Sequence, residues 1–532
     1  MFDYILVGAG SAGCVLADRL TEDPDVSVLL LEAGERDADA PIHIPAAFSK
    51  LFQTDVDWNY RTVPQPHAGG RDLYWPRGKV LGGSSSINAM IYIRGHHADY
   101  DGWAADGCTG WGYADVLPYF KRSEANSRGA STYHGADGPL PVQDPRSPSP
   151  FSEAFVRAAV QAGYPENDDF NGAEQDGAGL YQLTQRSGRR ASTASTFLRR
   201  ALGRPNLTVE TGAHATRVLL KGGRAVGVEI VQRGERRAVD AEREVVLCGG
   251  AVNTPQLLML SGIGRAESLA KRGIRVAVDR PGVGQNLHDH PIVGVHYAFR
   301  EPVSLLGAEG LMSVARYLLR RDGMLSSNVA EAGLFARTDG GPAPDVQFHV
   351  APMLFQEHGL TPQTEHGFSI GPTLVRPRSR GAVTLASADP FAHPHIDPRY
   401  LSEPGDAAAL VAGVRIAREV AAQPALDRFR GDEIRPGPDV TRDEDVETYV
   451  RETCETLYHP VGTCRMGSDE DSVVDLDLRV RGVEALRVVD ASVMPTVPNG
   501  NTNAPTIMVA ERAADLIRGR VASLSGSAEV VA

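Results

Sequence analysis

Short apolar runs alternate with turn residues along this chain, and the first 31 residues show the pattern most clearly. Ile5, Leu6 and Val7 form an apolar run of the length and composition typical of a buried parallel strand. A glycine-rich turn follows, and then residues 14–20, which predict a helix. Residues 26–31 predict a second strand. The chain therefore opens with a strand–helix–strand unit of the kind that builds parallel sheets.

The rest of the chain predicts two different sheets that are interleaved in sequence. Residues 207–247 contain several strand-like runs separated by turn residues. Residues 295–400 alternate polar and apolar positions and are broken by proline, which is typical of an antiparallel sheet. Amphipathic helices are predicted at 407–422 and 443–455, and a last helix at 504–518. We expect an α/β fold in which a Rossmann-like domain, discontinuous in sequence, is joined to an α+β domain built on an antiparallel sheet.

The first turn carries the spacing of a dinucleotide-binding site. Gly8, Gly10 and Gly13 fit G-x-G-x-x-G, in which the glycines allow a tight turn, close approach to a pyrophosphate and close helix packing. Glu32 lies 19 residues beyond Gly13 at the end of the second strand, where an acid bonds ribose hydroxyls. This combination predicts a bound dinucleotide, although spacing alone leaves NAD and FAD open.

Composition limits the partners of this protein. The 532 residues give room for about three domain-sized units. The formal net charge of −13 argues against nucleic acid or an anionic membrane as the main partner. Five scattered cysteines without metal-binding spacing indicate free thiols. No signal peptide and no apolar run of 18 residues are found, so we expect a cytoplasmic protein without a membrane-spanning segment.

Four sequence blocks together resemble the glucose–methanol–choline (GMC) oxidoreductases, and most closely their choline-dehydrogenase-like and alcohol oxidase branch. The blocks are the N-terminal turn with Glu32-Ala33-Gly34, residues 78–88, residues 250–264, and the C-terminal segments around 459 and 503. The resemblance implies FAD rather than NAD. It also implies non-covalent attachment, because Ile87 occupies the position at which some relatives carry a flavin-linked histidine. The residues expected to contact FAD are Gly8, Gly10, Ser11, Gly13, Glu32, Ala33, Val80, Gly82, Gly83, Ser84, Asn88, Met90, Ile91, Val218, Asp490, Ala491, Asn501 and Thr506.

The C-terminal blocks supply the candidate chemistry. The resemblance implies that His459 is the catalytic histidine and Asn503 its partner. Histidine suits removal of a hydroxyl proton, because its ordinary pKa lies near 6.5. An amide can donate a hydrogen bond to the substrate oxygen while staying neutral. Asn503 also precedes the predicted last helix, so a helix-capping role is the alternative interpretation.

The expected substrate is a small alcohol, oxidised to an aldehyde with O2 or a quinone-like carrier as electron acceptor. Glu331 aligns with a glutamate that faces the trimethylammonium group in choline-type relatives, and Trp58, Tyr60 and Tyr458 are candidate walls. A neutral aliphatic or aromatic primary alcohol is the favoured substrate, with choline as the alternative. A hydroxynitrile lyase with structural FAD is the alternative reaction. The His288-Asp289-His290 segment resembles a metal ligand pair, but no third ligand at suitable spacing accompanies it.

We expect the FAD-binding domain to comprise residues 1–155, 201–292 and 456–532, and the substrate domain to comprise residues 156–200 and 293–455. The sequence leaves the oligomeric state open between monomer and homodimer.

Overall fold

The computed structural model describes residues 1–521, and its first sheet contains the N-terminal unit. Parallel pairing runs through Leu207–Glu210, Val28–Leu31, Phe2–Val7, the end of Glu235–Leu247, and Leu486–Val488. The long strand Glu235–Leu247 then changes partners, because its first half pairs antiparallel with Arg224–Gln232. That strand in turn pairs with Ala213–Lys221. The strand Val28–Leu31 is apolar and buried throughout, and Phe2–Val7 is buried from Tyr4 onward, as expected for a sheet covered on both faces.

The second sheet is antiparallel, as the alternating pattern predicts. Its six main strands are, in spatial order, Arg430–Arg435, Val295–Phe299, Gly367–Leu374, Val346–Ala351, Ala332–Ala336 and Gly177–Leu180. Two short strands, Pro291–Ile292 and Glu455–Thr456, extend it beside Gly367–Leu374. A parallel-rich sheet and an antiparallel sheet confirm the predicted fold class. The proposed division into domain segments stays a prediction, and residues 522–532 of its last segment lie outside the described residues.

Helices cover the two sheets. The helices of nine or more residues are Ser11–Leu20, His97–Ala105, Tyr113–Ser123, Pro150–Gln161, Gly250–Leu260, Leu311–Arg320, Pro404–Ala421, Asp443–Thr453 and Asn503–Ile517. The first and last of these pack against each other, which brings the two ends of the described chain together. One large apolar core lies around the parallel sheet and a second lies around the antiparallel sheet. Among residues 1–521, no helix is both long and apolar enough to cross a bilayer.

Candidate active site

A cavity of about 520 Å³ lies where the two sheets meet, and it collects most of the predicted site residues. Strand residues of both sheets line it, among them Val7 and Leu31 from the first sheet and His349 and Gly371 from the second. The predicted residues that line it are Gly8, Gly10, Ser11, Glu32, Ala33, Trp58, Gly83, Ser84, Asn88, Met90, Ile91, Tyr458, His459, Asp490, Ala491, Asn501, Asn503 and Thr506. The predicted residues outside this lining are Gly13, Tyr60, Val80, Gly82, Val218 and Glu331.

The glycine turn forms one end of the cavity, and close packing explains Gly13 of the turn and Gly83 of the facing loop. A Cβ on Gly13 would lie 1.9 Å from the Gly8 carbonyl oxygen, so this glycine allows the helix to pack on the turn. A Cβ on Gly83 would lie 2.7 Å from the Gly10 Cα, so two backbone segments meet without side chains between them. The helix that begins at Ser11 has no acidic residue in its first turn. Its free N–H groups and positive end suit a phosphate, so this part of the cavity fits the pyrophosphate of FAD.

Glu32 ties the turn to the end of the second strand. Its Oε2 accepts a hydrogen bond from the Ala9 N–H at 2.9 Å, and its Oε1 accepts one from the Gly34 N–H at 2.9 Å. Burial raises the pKa of this carboxyl to about 7. Each carboxylate oxygen can accept further bonds, so a ribose hydroxyl that reaches this part of the cavity finds an acceptor.

One predicted residue of the nucleotide end, Val218, lies away from the cavity. Val218 is buried inside its strand, where its N–H donates to the Ser261 hydroxyl at 2.8 Å, and His214 lines the cavity instead. Trp58 lines the cavity and packs edge-on against His214, with ring centroids 5.7 Å apart, and its contact with the substrate stays a prediction. Tyr60 stacks behind Trp58 and is buried.

Asp490 lines the cavity and also holds two neighbouring segments of backbone through its carboxylate. One of its oxygens accepts bonds from the Gly250 N–H and the Thr254 hydroxyl, which fixes the start of the helix Gly250–Leu260. The other oxygen accepts bonds from the N–H and the hydroxyl of Ser492.

Val80 and Gly82 shape the backbone rather than face the cavity. Gly82 has a φ of +90°, and its N–H donates to the Ala9 carbonyl.

His459 lies at the opposite end of the cavity, held by three contacts. Its Nδ1 lies 3.0 Å from the Nδ1 of His290, and its Nε2 lies 3.2 Å from the Nδ2 of Asn501. Its backbone N–H donates to Asp289 at 2.6 Å. Asp289 also accepts bonds from the hydroxyls of Tyr400 and Thr456, so the backbone at His459 is rigidly placed.

The electrostatics of this end favour neutral imidazoles. Burial lowers the pKa of His459 well below 6.5, and the neighbouring His290, His349 and Arg77 lower it further. Burial also lowers the pKa of His290 to about 3, with a contribution from His349. The pKa of His349 is lowered by burial to about 3 as well. His459 is therefore uncharged near pH 7 and has a lone pair available to accept a proton.

The partner of His459 is Asn501, and this corrects the expectation for Asn503. Asn503 lies in the first turn of its helix, and its Oδ1 accepts a hydrogen bond from the Ser11 hydroxyl at 2.7 Å. It does not cap the helix, since Thr502 occupies the preceding position and no side chain closes that end. Asn503 thus joins the last helix to the glycine turn, whereas Asn501 faces the imidazole.

Glu331 does not face the cavity, so the expectation that it contacts the substrate is wrong. Its Oε2 accepts bonds from the Ser149 N–H and the Ser152 hydroxyl, at 2.7 and 2.6 Å, and its Oε1 accepts one from the Ser327 hydroxyl at 2.6 Å. The side chain is buried and its backbone neighbours Val329 and Ala330 line the cavity in its place. The carboxylate therefore joins the start of the helix Pro150–Gln161 to the segment that precedes the strand Ala332–Ala336.

The His288-Asp289-His290 segment is used by the site in a way that the sequence did not indicate. His290 contacts His459, Asp289 holds the backbone of His459, and the His288 Nδ1 lies 2.6 Å from the Asn286 carbonyl oxygen. Within residues 1–521 no group of three or more His, Cys, Asp or Glu is arranged to hold a metal ion. The roles of His290 and His349 had no sequence signal, because both depend on contacts between distant segments.

The family of the chain follows from comparison with known proteins. The model of the N-terminal part of the GMC oxidoreductases matches residues 2–292, and that of the C-terminal part matches residues 377–510. The chain belongs to the GMC oxidoreductase family. The resemblance stated from the sequence is therefore confirmed, and with it an FAD-dependent oxidoreductase that acts on CH–OH groups.

Individual GMC proteins match over nearly the whole chain. An alcohol dehydrogenase [acceptor] of Pseudomonas putida is 47% identical, over 99% of this chain and 98% of its own length. A mitochondrial choline dehydrogenase of Mus musculus is 47% identical, over 98% of this chain and 90% of its own length. Among solved structures, pyridoxine 4-oxidase from Mesorbium loti superposes with a TM-score of 0.90 at 33% identity, covering 98% of this chain and all of that one.

Proposed function

We propose that this GMC oxidoreductase converts a neutral primary alcohol to its aldehyde, with His459 as the base and with FAD bound non-covalently. The observation that carries the proposal is the neutral, buried imidazole of His459 next to the Asn501 amide, at one end of a cavity whose other end fits a dinucleotide. The names of the relatives from Pseudomonas putida and Mus musculus support an alcohol as the substrate class.

The tautomer of His459 decides which nitrogen acts. Two Nδ1 atoms 3.0 Å apart share one proton, so one histidine donates and the other accepts. If His459 donates from Nδ1 to His290, its Nε2 keeps a lone pair on the side of Asn501. We assign this tautomer because Nε2 is the nitrogen that faces the amide of Asn501, and a base must present its lone pair to the hydroxyl.

In the proposed reaction the alcohol loses two hydrogens in different forms. The Nε2 of His459 accepts the hydroxyl proton and becomes an imidazolium, and the alkoxide pair of electrons forms the C=O bond. The α-hydrogen leaves carbon with its bonding electrons, and bound FAD supplies the acceptor for that hydride. Asn501 donates a hydrogen bond to the oxygen as its negative charge develops, which stabilises the transition state. His290 keeps the imidazole oriented through the shared Nδ1 proton.

The cavity wall around His459 favours an apolar alcohol. Phe48, Phe52, Ile292, Phe355 and Leu457 all line it. Choline is a second candidate, because Glu455 also lines the cavity close to Tyr458, and a carboxylate beside an aromatic ring suits a quaternary cation. However, burial raises the pKa of Glu455 to about 7, so only part of it is ionised at neutral pH.

One experiment separates the reaction classes. The purified yellow protein is mixed without air with neutral aliphatic and aromatic alcohols and with choline, and the flavin absorbance is followed. Bleaching by an alcohol supports oxidation and contradicts a hydroxynitrile lyase, in which the flavin is not reduced. Admission of air then separates O2 as acceptor, which restores the colour quickly, from a quinone-like carrier, with which recovery in air is slow.

Non-covalent attachment has its own test. Ile87 lines the cavity in the loop that approaches the glycine turn, and a hydrocarbon side chain has no atom that can bond to the flavin. Denaturation followed by ultrafiltration should leave all yellow colour in the filtrate. Colour retained with the denatured protein would contradict this proposal.

A further inference from the structure

The helix Leu311–Arg320 presents its apolar side to the solvent. Leu311 is 85% exposed, Met312 82%, Leu318 60% and Leu319 84%. The spacing of these four residues places them on one helical face. Nine large apolar side chains are exposed among the described residues, and this helix with Met324 in the next turn contributes five of them. A concentrated apolar patch of this kind marks an interaction surface rather than ordinary surface variation.

The opposite face of the helix fixes this orientation. Tyr317 is buried together with Ala308 and Leu325, and its hydroxyl donates to the Gly188 carbonyl at 3.0 Å. Val314 packs on the same cluster. The helix therefore has one anchored side and one unpartnered apolar side, which we call the outer face: Leu311, Met312, Leu318 and Leu319.

Arginines lie along one flank of this helix and at its C-terminal end. Arg316 and Arg320 belong to the helix, Arg321 follows it, and the Arg146 guanidinium donates to the Arg320 carbonyl oxygen. Arg189 lies near Tyr317, on the anchored side of the helix. The nearby acids are already paired: Asp322 with Arg316 at 2.6 Å, and Glu309 with Lys50 at 2.5 Å. Four arginines, at 146, 189, 320 and 321, have no ion pair with any residue of the described part of the chain.

We propose that the outer face is a membrane-binding surface, which inserts its apolar side chains into the interfacial region of an anionic lipid bilayer while the neighbouring arginines bind the headgroups. An apolar helix face bordered by arginines is the chemistry of interfacial helices. A second copy of this chain fits less well, because a symmetric contact would bring the same unpaired arginines together.

The net charge of −13 does not oppose this local contact. Charges farther away than a Debye length, about 8 Å at physiological ionic strength, are largely screened. At the outer face the unpaired arginines set the sign of the potential, so the general expectation drawn from net charge does not apply to this surface.

The surface also lies next to the cavity. Ile44 and Ala46 pack on the cluster that anchors the helix, and Phe48, in the same segment, lines the cavity. Docking on a bilayer would therefore hold the cavity near the lipid, where apolar alcohols and quinone-like carriers dissolve. The membrane proposal does not depend on the proposed reaction and can fail independently of it.

Vesicle flotation tests the surface with the FAD-loaded protein. The probes are vesicles of phosphatidylcholine alone and of phosphatidylcholine mixed with phosphatidylglycerol. We expect the protein to float with the anionic vesicles, and a variant with Leu311→Ser, Met312→Ser, Leu318→Ser and Leu319→Ser to bind about tenfold or more weakly. A variant with Arg189→Glu and Arg320→Glu should lose the preference for anionic vesicles.

A matched control replaces two apolar side chains that are exposed elsewhere, Val160→Ser with Leu202→Ser, and should float like the natural protein. Yellow colour and bleaching by alcohol verify that each variant is folded. Failure of the natural protein to float, or equal flotation of the outer-face variant, would overturn the proposal. A dimer of the natural protein that the outer-face variant converts to a monomer, without flotation of either, would also overturn it and assign the face to self-association.

Discussion

Replacing Asn501 and Asn503 separately is the sharpest test of the site, because the two amides are two residues apart but have different neighbours. The Asn501 Nδ2 lies 3.2 Å from the Nε2 of the buried His459, at the place where the alkoxide would develop. Loss of one preorganised donor at such a place costs about 10²- to 10³-fold in rate, roughly 3 to 4 kcal/mol. Asn501→Ala should therefore slow flavin reduction by that factor while leaving the flavin content near that of the natural protein.

Asn503→Ala has a smaller and different expected effect. It removes one partly buried hydrogen bond to Ser11, 2.7 Å long, which contributes about 1 kcal/mol. Since Ser11 begins the helix at the glycine turn, we expect up to about fivefold weaker FAD binding and an unchanged reduction rate once the protein is saturated with FAD.

The assay is anaerobic stopped-flow reduction by a saturating alcohol, together with the ratio of flavin to protein absorbance. If Asn503→Ala slowed reduction of fully loaded enzyme more than Asn501→Ala did, the assignment of Asn501 as the partner of His459 would be wrong.

Three further predictions concern the base, the glycine turn and the buried acid. Because the base must be uncharged and the pKa of His459 is lowered, kcat/KM should be flat from neutral pH upward and fall only well below pH 6.5. The variant His290→Gln removes a neighbour that lowers this pKa, so its kcat/KM should fall and the acid limb of its pH profile should move to higher pH. An acid limb that does not move would contradict the coupling between His290 and His459. Gly83→Ala forces a Cβ to 2.7 Å from a facing backbone carbon, so the FAD content and the thermal midpoint should drop, with a loss of about 1–3 kcal/mol in stability. The control Gly222→Ala, with a similar φ of +59° and open space around it, should keep its FAD. Equal FAD loss in both variants would show that backbone strain alone is responsible. Glu331→Gln should lower the thermal midpoint, with a loss of about 1–3 kcal/mol in the free energy of unfolding, because it weakens three hydrogen bonds to a buried side chain. The ratio of choline activity to neutral-alcohol activity should stay unchanged. A loss of choline activity alone would restore the role of Glu331 in substrate binding.

The local geometry of the N-terminal turn can be predicted from the sequence more directly than the contacts around His459. Gly8, Gly10, Gly13 and Glu32 follow one another within a local strand–helix–strand unit, so their spacing almost determines their geometry. Choosing between Asn501 and Asn503 requires the residue at which the last helix begins, and helix ends are the least certain feature of a sequence prediction.

Residues that act through distant contacts left no trace in the local pattern. His290 and His459 are separated by 169 positions, and Glu331 binds serines 179 and 182 positions earlier in the chain. Alternation of polar and apolar residues predicts which face of a strand is buried, but not which buried polar groups meet. Glu331 was therefore assigned to the substrate by resemblance, although its hydrogen bonds join it to Ser149, Ser152 and Ser327.

The parallel pairing of Leu486–Val488 with the end of Glu235–Leu247 has a consequence for biosynthesis. A ribosome that adds 5 to 20 residues per second needs roughly 12 to 48 seconds to pass from Leu247 to Val488, which completes the covering strand. During that time the nascent chain exposes the edge formed by Val245, Val246 and Leu247, which is a template for aggregation. Recombinant yield should therefore respond strongly to growth temperature and to chaperones that shield such an edge.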